Sequence, residues 1–304
     1  MLQTKQACAR VAALARHVRI VHEQLPAYAG TLALGAPAAA PDPEAHLLAG
    51  TSEELAAFWL TLDAINFGSG WFPTLRKRRG RSGYFTIAIG VRERFAARGP
   101  WRAEELARVT PAELATALGQ DPEHELMALF AASLSDLGRH VQDEHDGCFA
   151  AVAERAAGSA VTLAERLATW RCFADSSSYR GFTVPFRKRA QIAAADLAAA
   201  GVASFSDLDR LTMFADNLVP HVLRLDGVLR FDPPLVARIE RGELLEHGSA
   251  TEVEIRACAL HAVELIVAAR PATCAADVDR LLWHRGQEPR YKVVPRHRSR
   301  CTAY

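Results

Sequence analysis

The sequence predicts a mostly α-helical fold with few short strands, arranged as one domain over residues 1–304. Several segments pair a helix-capping residue with apolar side chains at helical spacing. Strand-like stretches are rare and do not alternate with helices, so a parallel α/β sheet is not supported. Half of the residues are hydrophobic and 23% are charged, which suits a sizeable core and excludes wholesale disorder.

Six segments carry helix signals. Capping boxes are predicted at Thr51 and Glu54, at Thr110 and Glu113, and at Thr251 and Glu254. Glycine is expected to end most of these helices, the third one at Gly138. The last helix is apolar around most of its circumference, so we expect it at the centre of the fold. The six segments cover residues 51–67, 110–118, 121–138, 188–201, 231–242 and 251–270.

Two short strands are predicted, GYFTIAI at 83–89 and GFTVPF at 181–186. The stretch GAPAAAPDPEAH at 35–46 has the composition of a linker, but it lies too near the N-terminus to divide two domains. Residues 1–45 are therefore expected to form an N-terminal helical extension of the single domain.

The charge balance argues against a protein built to coat nucleic acid. Thirty-six Lys and Arg face 35 Asp and Glu, so any basic patch must be local. The six cysteines are scattered, which is typical of reduced thiols in a cytoplasmic protein. No secretory signal and no apolar run near the ~18 residues that span a bilayer are present. Zinc-ligand spacing and a P-loop are also missing, so we expect neither a metal nor a cofactor.

A carboxylate interrupts the apolar run RLTMFADNLVPHVL at 210–223. Burying a charge is unfavourable unless the charge is paired or has a functional role. Asp216 can therefore be a helix cap, a buried ion-pair partner or a catalytic group. In the catalytic interpretation, Phe214 is an aromatic wall beside Asp216, and the two can grip the edge of a guanine-like base.

Two further stretches hold charged groups whose roles stay open. In DVDRLLWHRG, Asp279 precedes Trp283 by four residues, so the two share a helical face. Asp279 is either a helix cap beside a core tryptophan or a pocket carboxylate. Lys188 and Arg189 lie at a helix start, where cations oppose the helix dipole. They are either solvent-exposed or face an anion.

Three charged groupings complete the set of candidates. The basic clusters LRKRRGRSGY at 75–84 and RYKVVPRHRSR at 290–300 can each be a solvated face, a phosphate site or a nucleic-acid footprint. Glu252 and Arg256 are four residues apart on the predicted central helix. They form either a surface ion pair or, in a helix this apolar, part of a buried network.

The order of the motifs points to a family. LDAINF, GYF, VPFRKRAQIAAADL, LTMFADNLVPHVLRLDGVLRF, GSATEVEIRACALHAVE, VDRLLWHRG and the terminal HRSRCTAY follow one another along the chain. Together they resemble the queuosine salvage protein family over about residues 46–304, most densely from 184 onward. The resemblance implies a helical fold similar to DNA glycosylases. It also implies hydrolysis of the N-glycosidic bond of queuosine 5′-monophosphate, which releases queuine for tRNA modification.

The resemblance implies that Asp216 and Asp279 are the catalytic residues, with Asp216 nearer the reaction centre. The substrate-binding residues expected beside them are Phe214, His46, Lys188, Arg189 and Trp283. Cations for the 5′-phosphate are expected from Lys188, Arg189 and the C-terminal basic cluster. The expected partners are the nucleotide substrate and the queuine product. A monomer with no stable nucleic-acid partner and no membrane partner is predicted.

The chain departs from the family pattern at NFGSGWF, 66–72, where many members read NFxFW. The small residues displace the aromatic position, which leaves open whether Trp71 and Phe72 line the pocket. The alternative function is a helical module that binds tRNA or another nucleic acid without hydrolase activity, and it predicts affinity that falls as salt rises. A helical scaffold is a third interpretation, and it predicts a large exposed apolar patch.

Overall fold

The structure is a computed structural model that describes residues 1–33, 41–270 and 272–304. Within these ranges the chain is mostly helical, which confirms the predicted fold class. The helices are α1 (Leu2–Leu14), α2 (Leu25–Thr31), α3 (Ser52–Ala64), α4 (Gly83–Arg98), α5 (Ala103–Leu106), α6 (Pro111–Leu118), α7 (Glu125–His145), α8 (Ala150–Glu154), α9 (Ala160–Leu167), α10 (Lys188–Ala199), α11 (Leu218–Leu225), α12 (Pro233–Glu240), α13 (Ala250–Ala268), α14 (Ala275–Arg285) and α15 (Pro289–Lys292).

Among the described residues, four short strands form two antiparallel pairs. They are β1 (Val18–Ile20), β2 (Ser176–Tyr179), β3 (Phe182–Pro185) and β4 (Leu229–Phe231). β1 pairs with β4, and β2 pairs with β3 as a hairpin. β3 confirms the strand predicted at 181–186. Residues 35–40 of the predicted linker lie outside the described residues.

Local capping signals are confirmed where they involve neighbours three residues apart. The Glu54 backbone N–H donates to Thr51 Oγ1 at 3.2 Å, and the Thr51 N–H donates to the Glu54 carboxylate at 2.7 Å, so the predicted capping box starts α3. The same reciprocal pair forms between Thr110 and Glu113 at α6. α10 and α12 also lie inside their predicted ranges.

The strand predicted at 83–89 is wrong, because this stretch is the first half of α4. Ser82 caps the helix by accepting a hydrogen bond from the Phe85 N–H. The β-branched and aromatic residues favour a strand locally, but the helix buries them against α3 and α6. Tertiary burial therefore overrides the local preference.

Gly138 does not end its helix as predicted, because α7 continues to His145. A Cβ atom on Gly138 would lie 2.5 Å from the Ala103 carbonyl oxygen and 2.4 Å from the Ala107 nitrogen. The glycine therefore allows α5 to pack directly on α7. Its function here is close approach between helices rather than termination.

The capping box predicted at Thr251 and Glu254 is also wrong. Ser249 caps α13 instead, and it accepts a hydrogen bond from the Glu252 N–H. Glu254 is buried, and its carboxylate accepts hydrogen bonds from the backbone N–H groups of Arg16 at 3.0 Å and His17 at 2.7 Å. The side chain that the sequence suggested for a local cap thus holds a segment more than 230 residues away.

α13 lies at the centre of the fold, as its apolar circumference predicted, and α1 packs along it. Buried apolar side chains form two large clusters. One draws mainly on residues 45–211, and the other combines residues 7–32 with residues 179–291. The single-domain organisation with an N-terminal extension stays a prediction. In the described ranges, no helix is both long enough and apolar enough to cross a membrane.

Candidate active site

The loop 213–217, which precedes α11, contributes to both hydrophobic clusters. Met213 and Ala215 belong to the second cluster, whereas Phe214 packs against the first. Asp216 follows directly and is half-buried. Ligand sites are common at junctions between packed units.

Asp216 has the geometry of a helix cap. Its Oδ1 atom accepts hydrogen bonds from the N–H groups of Leu218 at 2.8 Å and Val219 at 3.2 Å. The Oδ2 atom makes no hydrogen bond within the described part of the chain. The start of a helix suits a negative charge because its free N–H groups and dipole point toward it. Capping therefore positions the carboxylate and leaves one oxygen free to act on a ligand.

Asp279 on α14 holds the same loop from the other side. Its Oδ1 atom accepts a hydrogen bond from the Phe214 N–H at 3.0 Å. Asp279 is buried, and both this burial and the neighbouring charge of Asp216 raise its pKa well above the ordinary value of a carboxyl group. The raised pKa favours the protonated form of Asp279, which can donate a hydrogen bond. Two carboxyl groups in different environments are the usual means of separating acid and base roles.

Lys188 begins α10 beside these aspartates. Its Nζ atom donates to the Asn66 carbonyl at 3.0 Å, and its side chain is buried. Burial lowers the pKa of Lys188 to about 8, and the charge of Asp216 opposes this shift. The positive charge of Lys188 is thus close enough to interact with the carboxylate at the α11 start.

Aromatic rings form the other wall. His46 stacks on Trp59 at 5.2 Å between ring centroids, and its Nε2 atom lies 3.0 Å from the Tyr84 hydroxyl. Tyr84 meets the Trp283 ring edge-on at 6.1 Å. Burial lowers the pKa of His46, so its ring is neutral near pH 7. Trp283 lies one turn beyond Asp279 on α14, which joins this wall to the two aspartates.

Arg189 has different contacts from the other predicted residues. Its guanidinium donates to the Ala64 carbonyl at 2.6 Å and to the Thr302 carbonyl at 2.5 Å. It also lies over the Phe67 ring at 4.9 Å. The structure therefore brings Asp216, Asp279, Phe214, Lys188, His46 and Trp283 into one region. It places the Arg189 guanidinium in the core behind them.

Two further carboxyl groups near Lys188 were not predicted from the sequence. Asp63 on α3 is 1% exposed, and its Oδ2 atom has no hydrogen-bond partner among the described residues. Burial, together with the charge of Asp196, raises its pKa. Burial also raises the pKa of Asp196 on α10 to about 7, against the effect of Lys188. Asp63 belongs to the LDAINF motif, and its place in this motif is the sequence feature that could have identified it.

Arg296 belongs to the C-terminal basic cluster, from which cations for the 5′-phosphate were expected. The Asn217 amide donates to the His297 carbonyl at 3.0 Å, and Arg224 donates to the Pro295 carbonyl at 3.3 Å. These bonds hold both neighbours of Arg296 against α11. Burial lowers the pKa of Arg296, and the charge of Asp216 opposes this shift. Within the described part of the chain, no carboxylate lies within 4.0 Å of its guanidinium.

Much of the remaining positive charge in the two basic clusters is paired. Five arginines contact a carboxylate on the protein itself: Arg76 with Asp121, Arg78 with Glu93, Arg81 with Asp42, Arg290 with Glu288, and Arg300 with Glu125. Exposed pairs of this kind add little stability, but they reduce the charge offered to a polyanion. In the described ranges, no group of three or more His, Cys, Asp or Glu residues is arranged to hold a metal ion.

The NFGSGWF stretch packs against the C-terminal segment. The Gly68 N–H donates to the Tyr304 carbonyl at 3.1 Å. A Cβ atom on Gly70 would lie 2.4 Å from the Ser299 carbonyl oxygen, so only glycine permits this approach. Trp71 donates from Nε1 to Glu125 at 2.7 Å. The aromatic wall beside the aspartates comes instead from His46, Trp59, Tyr84, Phe85 and Trp283.

Glu252 and Arg256 belong to a buried network rather than a surface pair. Arg256 forms a bidentate ion pair with Asp175, at 3.0 and 2.6 Å, and lies 3.7 Å from Glu252. Both side chains of the Arg256–Asp175 pair are fully buried. The Arg256 Nε atom donates to the Ala215 carbonyl at 2.9 Å, which connects the network to the loop 213–217.

Comparison with known proteins finds relatives over most of the chain. The profile of the queuosine salvage protein family matches residues 46–304. A queuosine 5′-phosphate N-glycosylase/hydrolase of Sphaerobacter thermophilus is 36% identical over 265 residues, which are 83% of this chain and 82% of the relative. A protein of the same name from Bos taurus is 27% identical over 84% of this chain and 83% of its own length. The chain therefore belongs to the queuosine salvage protein family.

Proposed function

We propose that the chain hydrolyses the N-glycosidic bond of queuosine 5′-monophosphate and releases queuine for tRNA queuosine salvage. The observation that carries the proposal is the hydrogen bond from the Phe214 N–H to Asp279, which brings the two aspartates into one site. The names of the relatives support the substrate, since they are queuosine 5′-phosphate N-glycosylase/hydrolases.

Asp216 acts at the reaction centre in this proposal. Breaking a bond between ribose and base develops positive charge on the sugar, and a fixed carboxylate stabilises it. The two N–H donors on Oδ1 hold the group in place, so Oδ2 can face the sugar and orient the attacking water. The cap geometry and the catalytic role are compatible, because they use different oxygens of one carboxylate.

Asp279 grips the departing base. Queuine is a 7-deazaguanine, so it lacks the ring nitrogen at which a purine leaving group is often protonated. Hydrogen bonds to the rest of the base must then stabilise the charge that it acquires. A protonated Asp279 suits this role because burial and Asp216 keep its pKa high. Phe214, His46 and Trp283 supply the apolar and stacking surface for the base.

Lys188 and Arg296 hold the 5′-phosphate. Both cations lie near Asp216, at the start of α10 and in the C-terminal segment. A guanidinium without a carboxylate partner is suited to phosphate because it offers parallel N–H donors. Arg189 does not contact the phosphate in this proposal, since its N–H groups already donate to the Ala64 and Thr302 carbonyls. Its role is to hold these two backbone segments together beside the site.

The hydrolase acts as a cytoplasmic monomer without a metal or cofactor in this proposal. The alternative, a module that binds tRNA or another nucleic acid, relies on the two basic clusters. The ion pairs of Arg76, Arg78 and Arg81 with carboxylates weaken that alternative. It predicts RNA affinity with a steep salt dependence, whereas the hydrolase needs none.

The test is a mass-spectrometric assay for free queuine. Purified protein is incubated with queuosine 5′-monophosphate beside the Asp216→Asn variant, which keeps the Oδ1 acceptor for Leu218 and Val219. We expect queuine from the wild type and at least about 100-fold less from the variant, at an unchanged melting temperature. Asp232→Asn is the matched control, since Asp232 caps α12 away from the site. No release by the folded wild type would refute the hydrolase proposal.

A further inference from the structure

Three separate parts of the chain hold the loop 213–217, two through a side chain and one through a backbone carbonyl. Asp279 accepts from the Phe214 N–H, and Asn217 donates to the His297 carbonyl. Between these contacts, Arg256 Nε donates to the Ala215 carbonyl at 2.9 Å. The Arg256 bond is the one that reaches the residue directly before Asp216.

The other end of Arg256 connects this loop to the start of α10. Its two terminal nitrogens donate to the two oxygens of Asp175, at 3.0 and 2.6 Å. Asp175 Oδ2 also accepts a hydrogen bond from the Lys188 backbone N–H at 2.9 Å. An unbroken path therefore runs from the Ala215 carbonyl through Arg256 and Asp175 to Lys188. We call the Arg256–Asp175 pair, with these two backbone contacts, the brace.

Burial reduces the net free energy of folding that the brace can contribute. Both side chains are fully buried, and removing two charges from water is often not repaid by their attraction. Apolar side chains of similar volume commonly serve a core equally well. What they cannot supply is a fixed N–H donor for Ala215 and a fixed acceptor for Lys188. The bidentate geometry restricts the orientation of the guanidinium, and hence of Nε.

We propose that Arg256 and Asp175 are positioning residues that set the location of Asp216 relative to Lys188. The inference rests on the proposed function, because Asp216 is assigned to the ribose and Lys188 to the phosphate of one substrate. The reacting carbon of that substrate must lie between the two groups. A misplacement of about 1 Å can reduce the rate of a reaction about 100-fold, so a rigid link between them has a direct kinetic effect.

Two double variants separate positioning from stability. Arg256→Gln with Asp175→Asn removes both charges but retains a donor, because Nε2 of glutamine is as many bonds from Cα as Nε of arginine. Arg256→Met with Asp175→Asn has a side-chain volume similar to that of the first double variant. It places a methyl group, which cannot donate, at the position of Nε. In both, the asparagine oxygen can accept from the Lys188 N–H. Both double variants also remove the Arg256 charge beside Glu252. The Glu252 carboxylate still has two partners, the Gly248 N–H at 3.1 Å and His247 at 3.5 Å.

We expect the methionine variant to lose about 10- to 100-fold in kcat and the glutamine variant to recover most of that loss. Queuine affinity should change less than about threefold in both, because Asp279 still holds the Phe214 N–H. Both variants should melt within a few degrees of each other. Equal kcat in the two variants at equal stability would overturn the proposal. A loss of queuine affinity as large as the loss of kcat would also overturn it.

A measurement on the unaltered chain covers the case in which the variants do not fold. Hydrogen–deuterium exchange of the Lys188 N–H, which donates to Asp175 Oδ2, should be as slow as that of α13, although Lys188 is the first residue of α10. Exchange within seconds would contradict a rigid link between Asp175 and Lys188. This readout needs no turnover, so a failure of the proposed hydrolase function and a failure of the brace are distinguishable.

Discussion

The Asp279 carboxyl group accepts a hydrogen bond from the Phe214 backbone N–H at 3.0 Å, across 65 residues of sequence. This contact joins the two motifs that the sequence reasoning had treated separately. It also places Asp279 beside Asp216, and this proximity contributes to the raised pKa of Asp279. The two carboxyl groups therefore interact with each other while they lie in different environments.

The titration of Asp279 should appear in the pH dependence of stability. Burial and Asp216 raise the pKa of Asp279 in the folded chain above its ordinary value of 3.8. The native state therefore holds a proton that the unfolded chain releases, and this stability contribution is lost as pH rises through the folded pKa. Asp279→Asn has no such titration. As the pH rises, the unfolding free energy of Asp279→Asn should therefore increase relative to that of the wild type. The total increase should be about 1.4 kcal/mol for each unit by which folding raises the pKa of Asp279.

Thermal or urea unfolding of both proteins from pH 4 upward measures this difference. Asp63 and Asp196 titrate in both proteins with the same sign, so their contributions largely cancel in the comparison. Parallel stability curves for the wild type and Asp279→Asn would show that Asp279 does not keep its proton in the folded state.

Arg296→Met should weaken the proposed contact with the 5′-phosphate and leave Lys188 as the remaining cation. We expect kcat/KM for queuosine 5′-monophosphate to fall about 30-fold, because a hydrogen bond between charged groups is lost. The nucleoside queuosine lacks the phosphate, so its kcat/KM should change less than about twofold. Arg300→Met is the control, since Arg300 is exposed and contacts Glu125. An equal loss for both substrates would assign Arg296 to the support of Asp216 instead.

Trp283→Leu should weaken the binding of queuine itself. The Trp283 ring meets the Tyr84 and Phe85 rings at 6.1 and 6.3 Å and completes the aromatic wall. Stacking of a base on an aromatic ring is worth about 1–3 kcal/mol, so we expect roughly tenfold weaker affinity by calorimetry. Phe182→Leu is the comparison, because Phe182 contacts Arg10 away from the site. Unchanged affinity in Trp283→Leu would remove this ring from the base pocket.

Glu254→Ala should destabilise the chain without changing the site. The Glu254 carboxylate accepts from the N–H groups of Arg16, His17 and Val18 and from the Tyr179 hydroxyl. Losing a buried acceptor for these donors should lower the unfolding free energy by about 3 kcal/mol. Glu240→Ala at an exposed position of α12 should change it by less than about 0.5 kcal/mol.

Urea unfolding checks this prediction and also bears on the domain organisation. If residues 1–33 were a loosely attached extension, Glu254→Ala would release them while the rest of the chain unfolded at the wild-type urea concentration. A single transition at lower urea is the outcome expected if the N-terminal segment is part of the folding unit.

The sequence by itself determined the features that depend on near neighbours. The capping boxes at Thr51 and Thr110 join residues three apart, and such contacts are encoded in the spacing. The apolar circumference of α13 predicted its central place. Asp216, Phe214 and Asp279 could be singled out because a carboxylate in an apolar run needs a reason and the motifs resemble one family.

The tertiary structure decided what depends on distant partners. Residues 83–89 form a helix because α3 and α6 bury them, and Glu254 became an anchor for the N-terminal segment because Ser249 could cap α13. Arg189 and Arg296 have similar charge in the sequence. Only the fold supplies backbone carbonyls to the first and leaves the second beside Asp216. Long-range contacts follow from how the whole chain packs, and no local spacing specifies them.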